Sequence, residues 1–451
     1  MLVLLLSGCG SRWTSAQRQE VLARGAPSRS AAGGAATGSG AQAGTSPAAS
    51  TASAAAGLPV GAIPGGAVAT SGDTTTAQGP LPCSAPSDAP GVTADTVTVG
   101  NISTLSGPIP GLGQTALGAT QAYVAYLNSI GGVCGRHVKV DSGDDGADSG
   151  SFRSILSNME PSVLGLVGEL AGGDGGGVDI MNTKHVPAVT SATSTAFQDA
   201  ASVFDINPPF RDTSTSIGKY RWLHDNGATK VALVYIAVDQ SRDQIKSTEQ
   251  PLMEAAGIQV VNEQPLPLST LSYDSAARAV ANSGANYLLF LGGYEQNSNM
   301  ARSMDGTGYT GLKFAEYFTT YGTSFIDQAG SAAEGASSWA FALPTEDGGV
   351  NAEQGRFLQW MQQTSPGDAF DVFAVESWAS AKAFFDALQQ LPGPITRDAL
   401  IAQLHTFTSY DADGFYGRVD LGNKANIGCY VGMRVTNGKW TRMAPADGFL
   451  C

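Results

Sequence analysis

The amino-acid sequence predicts an α/β protein of two doubly wound, Rossmann-like lobes joined by a hinge of several crossings, and three observations carry that expectation. Short apolar runs alternate with helical stretches from residue 96 onward. Strand starts fall in two sets, at Val97, Val138, Val163 and Val186, then at Val231, Ile258, Tyr287 and Phe314. Within each set they lie about 23–41 residues apart, the length of a strand plus a crossover helix. The interval from Val186 to Val231 is wider and contains Asn207-Pro208-Pro209, which marks a passage between lobes.

The elements follow in order. A first helix opens near Thr115, sets Ala116, Ala119, Tyr123 and Leu127 on one face, and stops at Gly131-Gly132. Another begins near Asp212, carries Ile217, Tyr220 and Leu223, and ends at Gly227. Ser337–Pro344 reads as a strand and a second crossing, and Glu353–Gln363 with Phe370–Leu391 as a helical pair. The tail changes to hairpin grammar, "CYVGMRV" and "KWTRM" flanking Thr436-Asn437-Gly438. The first lobe is expected to comprise residues 83–210 and 343–405, the second 211–342 and 406–451.

Charge narrows the function. Only 14% of the 451 residues are charged, yet the formal net charge is −14. An acidic chain repels phosphate backbones, which argues against nucleic acid as a partner. It also argues against attachment to anionic lipid through a basic face.

The N-terminus begins "MLVLLLSGCGS", and Leu6-Ser7-Gly8-Cys9 matches the lipobox of bacterial lipoproteins. Residues 1–9 are therefore read as a truncated signal, its start lying upstream, with Cys9 as the lipidated residue. Residues 10–82 are Ala, Gly, Ser, Thr and Pro with hardly a bulky side chain, a composition that cannot offset its ordering entropy and reads as a flexible tether. Nothing after Leu6 is apolar for long enough to span a bilayer, so the lipid is the expected anchor, on the outer face of the cell membrane. Behind an export signal, Cys83, Cys134, Cys429 and Cys451 suggest two disulfides. Three pairings are open, and Cys83–Cys134 with Cys429–Cys451 is favoured. The spacings lack CxxC and the four histidines are scattered, which points away from a metal site.

In open α/β sheets ligands sit beyond the carboxyl ends of the strands. Inside the first such loop lies Gly111-x-Gly113-x-x-Ala116, which fits the glycine fingerprint of a dinucleotide turn. The context fails: "STLSGPIP" separates Gly111 from the strand, and Asp141 stands too far on to hold a ribose.

Instead, "LSGP" (Leu105–Pro108) after an apolar strand, followed by Gly113 and a helix, resembles the periplasmic Leu/Ile/Val-binding family, the type I solute-binding proteins of ABC importers. The resemblance continues in order from about residue 92 to 443. "YLNSIGGVCGRHVKV" looks like the family's helix, double glycine and second strand, and "DSGDDGAD" like its acidic loop. "VGELAGGDGGGVDIMNTKHVPAVTSATS" is similar to the segment carrying its first-lobe ligand contacts, and "ANYLLFLGGYEQNSNMARSMDGTGY" to its second-lobe strand, GGY turn and helix.

The resemblance implies the type I periplasmic-binding-protein fold, an amino acid-like solute between the lobes, a membrane permease as partner, a monomer, and no cofactor. It places Ala192 and Ser194 on contacts to the ligand's carboxylate and backbone, and Tyr294 on the tyrosine reaching across from the second lobe. Ser106, Gly173 and Thr193 complete the first cleft candidates, with Asp174, Gln240, Glu316 and Tyr317 behind them. Three departures bear on specificity. The family's serine after the third strand is Gly172, beside Gly173 and Asp174. Its aromatics after LSGP and in a second-lobe loop are Leu112 and Gln240. The acid for an ammonium falls near "FAEYF", on Glu316 or Phe318. A lost hydroxyl and an added Asp174 disfavour an anion by charge repulsion, and Tyr294, Tyr317 and Tyr321 suit an aromatic, an amide or a sugar equally.

Other motifs read as structure. The acids at Asp141, Asp144, Asp145 and Asp148 have Gly143 and Phe152 where a calcium loop needs ligands, and "SYDADGFYGRVD" (Ser409–Asp420) precedes strands rather than a helix. No GxSxG, HExxH or P-loop lysine is present, so the chain is read as a binding protein and not an enzyme. Two rival functions stay open: a sensor of the same fold signalling to a membrane partner, and an exported hydrolase without a recognisable motif.

Overall fold

The computed structural model describes residues 82–107, 113–207, 217–237, 239–312, 320–366, 371–426 and 428–451. Cys9, the tether, Glu316 and Tyr317 lie outside the described residues.

The first sheet has five parallel strands: β1 (Thr96–Ser103), β2 (His137–Asp144), β3 (Leu166–Val167), β4 (Ala188–Thr190) and β5 (Val203–Asp205), in the order β2-β1-β3-β4-β5. Its interleaved helices are α1 (Gln114–Ser129), α2 (Ser149–Met159), α3 (Val178–Lys184) and α4 (Thr195–Asp199). Strand β5 occupies part of the interval read from the sequence as a passage. It is only three residues long, and Asp205 interrupts its apolar residues, so the run is too short to stand out.

Two separate buried clusters cover the two faces of this sheet, as a parallel sheet requires. Helix α1 buries Ala116, Ala119, Tyr123 and Leu127, and the ring of Tyr123 meets Trp378 edge-on at 4.9 Å. The helix ends where expected because Gly131 and Gly132 both take positive φ; a β-carbon on Gly132 would lie 1.9 Å from the Arg136 carbonyl oxygen.

The second sheet continues with α5 (Ile217–Asp225), β6 (Lys230–Ile236), α6 (Asp239–Gln244), a π-helical turn, α7 (Gln250–Ala255), β7 (Gln259–Leu266), α8 (Asp274–Asn282), β8 (Tyr287–Leu291) and α9 (Tyr294–Asp305). Its parallel order is β7-β6-β8, the same central pattern as in the first sheet. After α10 (Thr323–Ala329), β9 (Ser337–Ala340) leads to α11 (Ala352–Thr364), α12 (Val372–Gln389) and α13 (Arg397–Leu404). The short pair β10 (Val419–Asp420) and β11 (Ala425–Asn426) precedes the hairpin β12 (Val431–Thr436) and β13 (Lys439–Ala444), which joins β9 in an antiparallel sheet. Asn437 and Gly438 both have positive φ, the conformation a two-residue hairpin turn needs, and Glu334 accepts their N–H groups at 3.0 and 3.2 Å.

Both favoured disulfides are present, Cys83–Cys134 and Cys429–Cys451. The buried Arg136 reinforces the first, donating to the carbonyls of Cys83, Ala85 and Thr93 at 3.0, 2.9 and 2.7 Å. Ala412, Phe415, Tyr416, Val419 and Leu421, read from the sequence with the second lobe, pack into the core of the first. Tyr321 and Arg442 from the second lobe bond to Glu346 and Asp347, just beyond the crossing at Pro344. Among the described residues no helix is long and apolar enough to cross a membrane.

Candidate functional site

In both sheets the chain reverses winding direction beside the central strand, at β1–β3 and at β6–β8, the places beyond the carboxyl ends of the strands where open α/β sheets take ligands. Polar side chains hold the loops at the first of these switch points. Asn101 donates to the Val167 carbonyl at 2.9 Å, Ser103 donates to Asn101 at 2.7 Å, and Leu170 N–H donates to Ser103 at 3.1 Å, which pins the loop after β3 to the end of β1.

The acidic loop after β2 then organises its neighbours. Asp144 accepts the N–H groups of Leu105, Ser106 and Gly146 at 2.9, 3.2 and 3.0 Å, and the Ser106 hydroxyl holds its carboxyl below the usual range. Asp145, buried, takes the Thr104 hydroxyl at 2.6 Å and the Gly173 N–H at 2.8 Å. A side chain at Gly173 is excluded: its β-carbon would stand 2.5 Å from the Asp148 carbonyl. Asp148 itself caps α2 through Ser151 N–H. This loop is thus a hydrogen-bonding scaffold. The Ser409–Asp420 stretch is a tight turn closed by reciprocal Tyr410–Val419 backbone bonds at 2.8 Å.

The loops after β3 and β4 meet through Asp174. One of its oxygens accepts Thr193 N–H at 2.6 Å and Ser194 N–H at 3.2 Å, while Thr193 donates its hydroxyl to Ala171 at 2.6 Å and Ser194 caps α4 through Phe197 N–H at 3.3 Å. Asp174 is 2% exposed, and burial raises its pKa despite the donors around it. Gly173, Asp174, Ala192, Thr193 and Ser194 therefore come together where these two loops meet, the first three buried and Thr193 and Ser194 half-buried at its surface, with Ser106 tied to them through the acidic loop.

Behind this surface are acids that the sequence reading passed over. Glu169, Asp205 and Glu376 are buried, and with Asp174 they feel one another's charge. Glu376 receives the Ser191 hydroxyl at 2.5 Å and the Asn207 amide at 2.9 Å, and burial pushes its carboxyl up to about 7. Among the described residues neither oxygen of Glu169 has a hydrogen-bond partner, and burial pushes its carboxyl up to about 8. One oxygen each of Asp174 and Asp205, and the Tyr416 hydroxyl, are likewise without partners. The signal for two of these acids was a single charged residue inside an apolar run, "GLVGEL" for Glu169 and "VFAVESWASA" for Glu376.

On the second lobe, Tyr294 opens α9 directly after β8 and Gly292-Gly293, and is 40% exposed. Asn297 fastens that turn by donating to Gly292 and Gly293 at 2.8 and 3.1 Å. Gln240 falls within α6 after β6. The two sets of candidates thus sit at the carboxyl ends of two different sheets.

These features define a two-lobed binding protein. A model of the family described as periplasmic binding protein matches residues 96–439, and the chain belongs to that family. Its fold is the type I form, as solved structures bear out. The fatty acid ABC transporter substrate-binding protein from Thermomonospora curvata superposes with a TM-score of 0.65 at 20% identity, covering 80% of this chain and 94% of that one. The branched-chain amino acid transporter substrate binding protein LivJ from Streptococcus pneumoniae, solved with isoleucine, gives 0.64 at 17% identity, covering 78% and 100%. The leucine binding protein LivK from Thermotoga maritima gives 0.64 at 17%, covering 77% and 98%. No curated protein matches the chain.

Proposed function

We propose that this protein is the extracytoplasmic solute-binding component of an ABC importer, holding an amino acid or similar small polar solute between its lobes. The observation that carries the reading is the pair of equivalent switch points, at β1–β3 and β6–β8, each followed by polar loops beyond the strand ends. Solute bridging Ser106, Gly173, Ala192, Thr193 and Ser194 on one wall and Tyr294 on the other favours the closed form, which a permease recognises. Asp174 and Gln240 are assigned to the same cleft, as are Glu316 and Tyr317, on the strength of the sequence resemblance alone. The work is a population shift with no bond made or broken. Cys9 carries the lipid anchor, and residues 10–82 give the lobes their reach. Lobes at 83–210 with 343–405 and at 211–342 with 406–451 remain the proposed division, residues 412–421 packing against the first.

The test is a thermal-shift screen of the full chain against amino acids, amides, aromatic acids and sugars, with mass analysis of the recovered solute. A solute at 100 times its dissociation constant adds about 2.7 kcal/mol to the folded state. A saturable shift with the solute recovered unchanged supports binding. A chemically altered solute overturns it in favour of an enzyme.

A further inference from the structure

Just past the second crossing, a short turn of the first lobe reaches back to the second. Strand β9 ends at Ala340 in the second-lobe core, and Ala342 and Leu343 already pack into the first. Thr345–Asp347 then forms a single 3₁₀ turn, closed by Asp347 N–H on the Pro344 carbonyl at 3.0 Å and Gly348 N–H on the Thr345 carbonyl at 3.0 Å. Gly348 and Gly349 follow with positive φ, which lets the chain double back into α11.

Gln354, buried on α11, clamps both ends of this turn. It donates to the Leu343 and Pro344 carbonyls at 3.3 and 2.6 Å and accepts Gly349 N–H at 3.1 Å. The turn is thereby a fixed projection of the first lobe, and the second lobe holds its other side. The Tyr321 hydroxyl accepts Thr345 N–H at 2.9 Å and donates to the Glu346 carboxylate. The Tyr321 ring stays in the second-lobe core, edge-on to Trp440 at 5.6 Å. Arg442 of β13 forks onto Asp347, Nη2 to one oxygen and Nε to the other at 3.4 Å. These two side chains are 14% and 20% exposed, so water screens the pair less than a surface pair.

One peptide unit is therefore divided between the lobes. Its carbonyl, from Pro344, is bonded to Gln354 of the first, and its N–H, from Thr345, to Tyr321 of the second. Rotation of one lobe against the other has to turn about this unit or break one of its bonds. Standing beside the crossing, these bonds lie close to any axis that passes through it, so they restrain the angle of the lobes through small displacements.

We propose that the Thr345–Asp347 turn is an interlobe strap that sets the angle at which the lobes rest before a solute binds. This rests on the two-lobed reading above and adds to it the element that opposes free opening.

Pulsed electron–electron double resonance on the full chain without solute reads that angle. Spin labels are carried on ketone-bearing side chains at the exposed positions of Lys139 and Glu254, one in each lobe. The wild-type chain should give one narrow distance distribution. Tyr321→Phe and Asp347→Asn each broaden it, and the double variant broadens it most. Glu334→Gln, which weakens the grip on the Asn437-Gly438 turn in the same lobe, leaves it unchanged. Native circular dichroism is required of each variant, and if the double variant does not fold, Asp347→Asn alone decides. An unchanged distribution in folded strap variants, or equal broadening by Glu334→Gln, overturns the strap. No solute is needed, so that failure is separate from a failure of the solute-binding reading.

Discussion

The carboxylate of Asp174 accepts the backbone N–H of Thr193 at 2.6 Å, so the loop after β3 grips the loop after β4 through a buried side chain. The same oxygen reaches Ser194 N–H, which makes Asp174 a structural clasp between the two loops.

Asp174→Ala should therefore loosen the two loops. Hydrogen bonds to a charged group contribute about 1.5–3 kcal/mol each, part of which water recovers at half-buried amides. We expect a loss of about 1–3 kcal/mol in urea unfolding, and a smaller loss for Asp174→Asn, which keeps an acceptor. Unchanged stability in both variants would mean that the clasp is not formed.

The buried acids set a pH dependence of definite sign. Burial raises the folded-state pKa of Glu169 to about 8 and of Glu376 to about 7, with Asp174 and Asp205 shifted the same way. The folded protein thus keeps protons that the unfolded chain releases in the ordinary carboxylate range. The stability they contribute is complete below that range and is lost as pH rises through about 7 to 8, at roughly 1 kcal/mol per pH unit for each proton. The urea midpoint should fall between pH 5 and pH 8, and Glu169→Gln should flatten the slope. Burial lowers Lys219 to about 8 and acts in the opposite sense only above that pH. A midpoint that climbs from pH 5 to pH 8 contradicts the arrangement.

Gly173→Ala tests the tight approach of two loops. Its β-carbon would lie 2.5 Å from the Asp148 carbonyl and 2.8 Å from an Asp145 oxygen, so backbone must move. Overpacking of this kind costs about 1–3 kcal/mol. Thermal denaturation should show the loss, and a crystal structure of the variant should show the Asp148 segment displaced.

Much of this architecture was legible because it rests on local signals. The strand starts at Val97, Val138, Val231 and Tyr287 fall within a residue of the observed elements, since each opens a run or alternation of apolar residues that leads into a helical stretch. The Asn437-Gly438 hairpin follows from equally local chemistry, whereas the disulfide pairing, favoured among three open ones, is fixed only by the fold, across 51 and 22 residues. Strand β5 was not legible, because three residues cannot display a period. Glu169, Asp205 and Glu376 were hidden for another reason: they are far apart in sequence, and only the parallel ladder β3-β4-β5 and the packing of α12 bring them together. Asp174 was read as a charge facing the solute, but its grip on Thr193 and Ser194 depends on a loop-to-loop register that no pattern encodes.

The disulfides carry different loads. In the chain-entropy account the 51-residue separation of Cys83 and Cys134 is worth about 4 kcal/mol, and the 22-residue separation of Cys429 and Cys451 about 3 kcal/mol. Paired serine substitution at each should lower urea stability in that order. Loss of Cys83–Cys134 should expose the N-terminal segment held by Arg136 to proteolysis first. The reverse order would assign the larger role to the tail.

Whether a solute bridges the two lobes is read most directly by hydrogen–deuterium exchange of the full chain with and without a saturating solute from the thermal-shift screen. Protection is expected in two separated stretches at once, Gly172–Ser194 on the first lobe and Gly292–Ser298 on the second. Protection confined to one lobe, or lying away from both strand ends, would contradict a solute bridging the two.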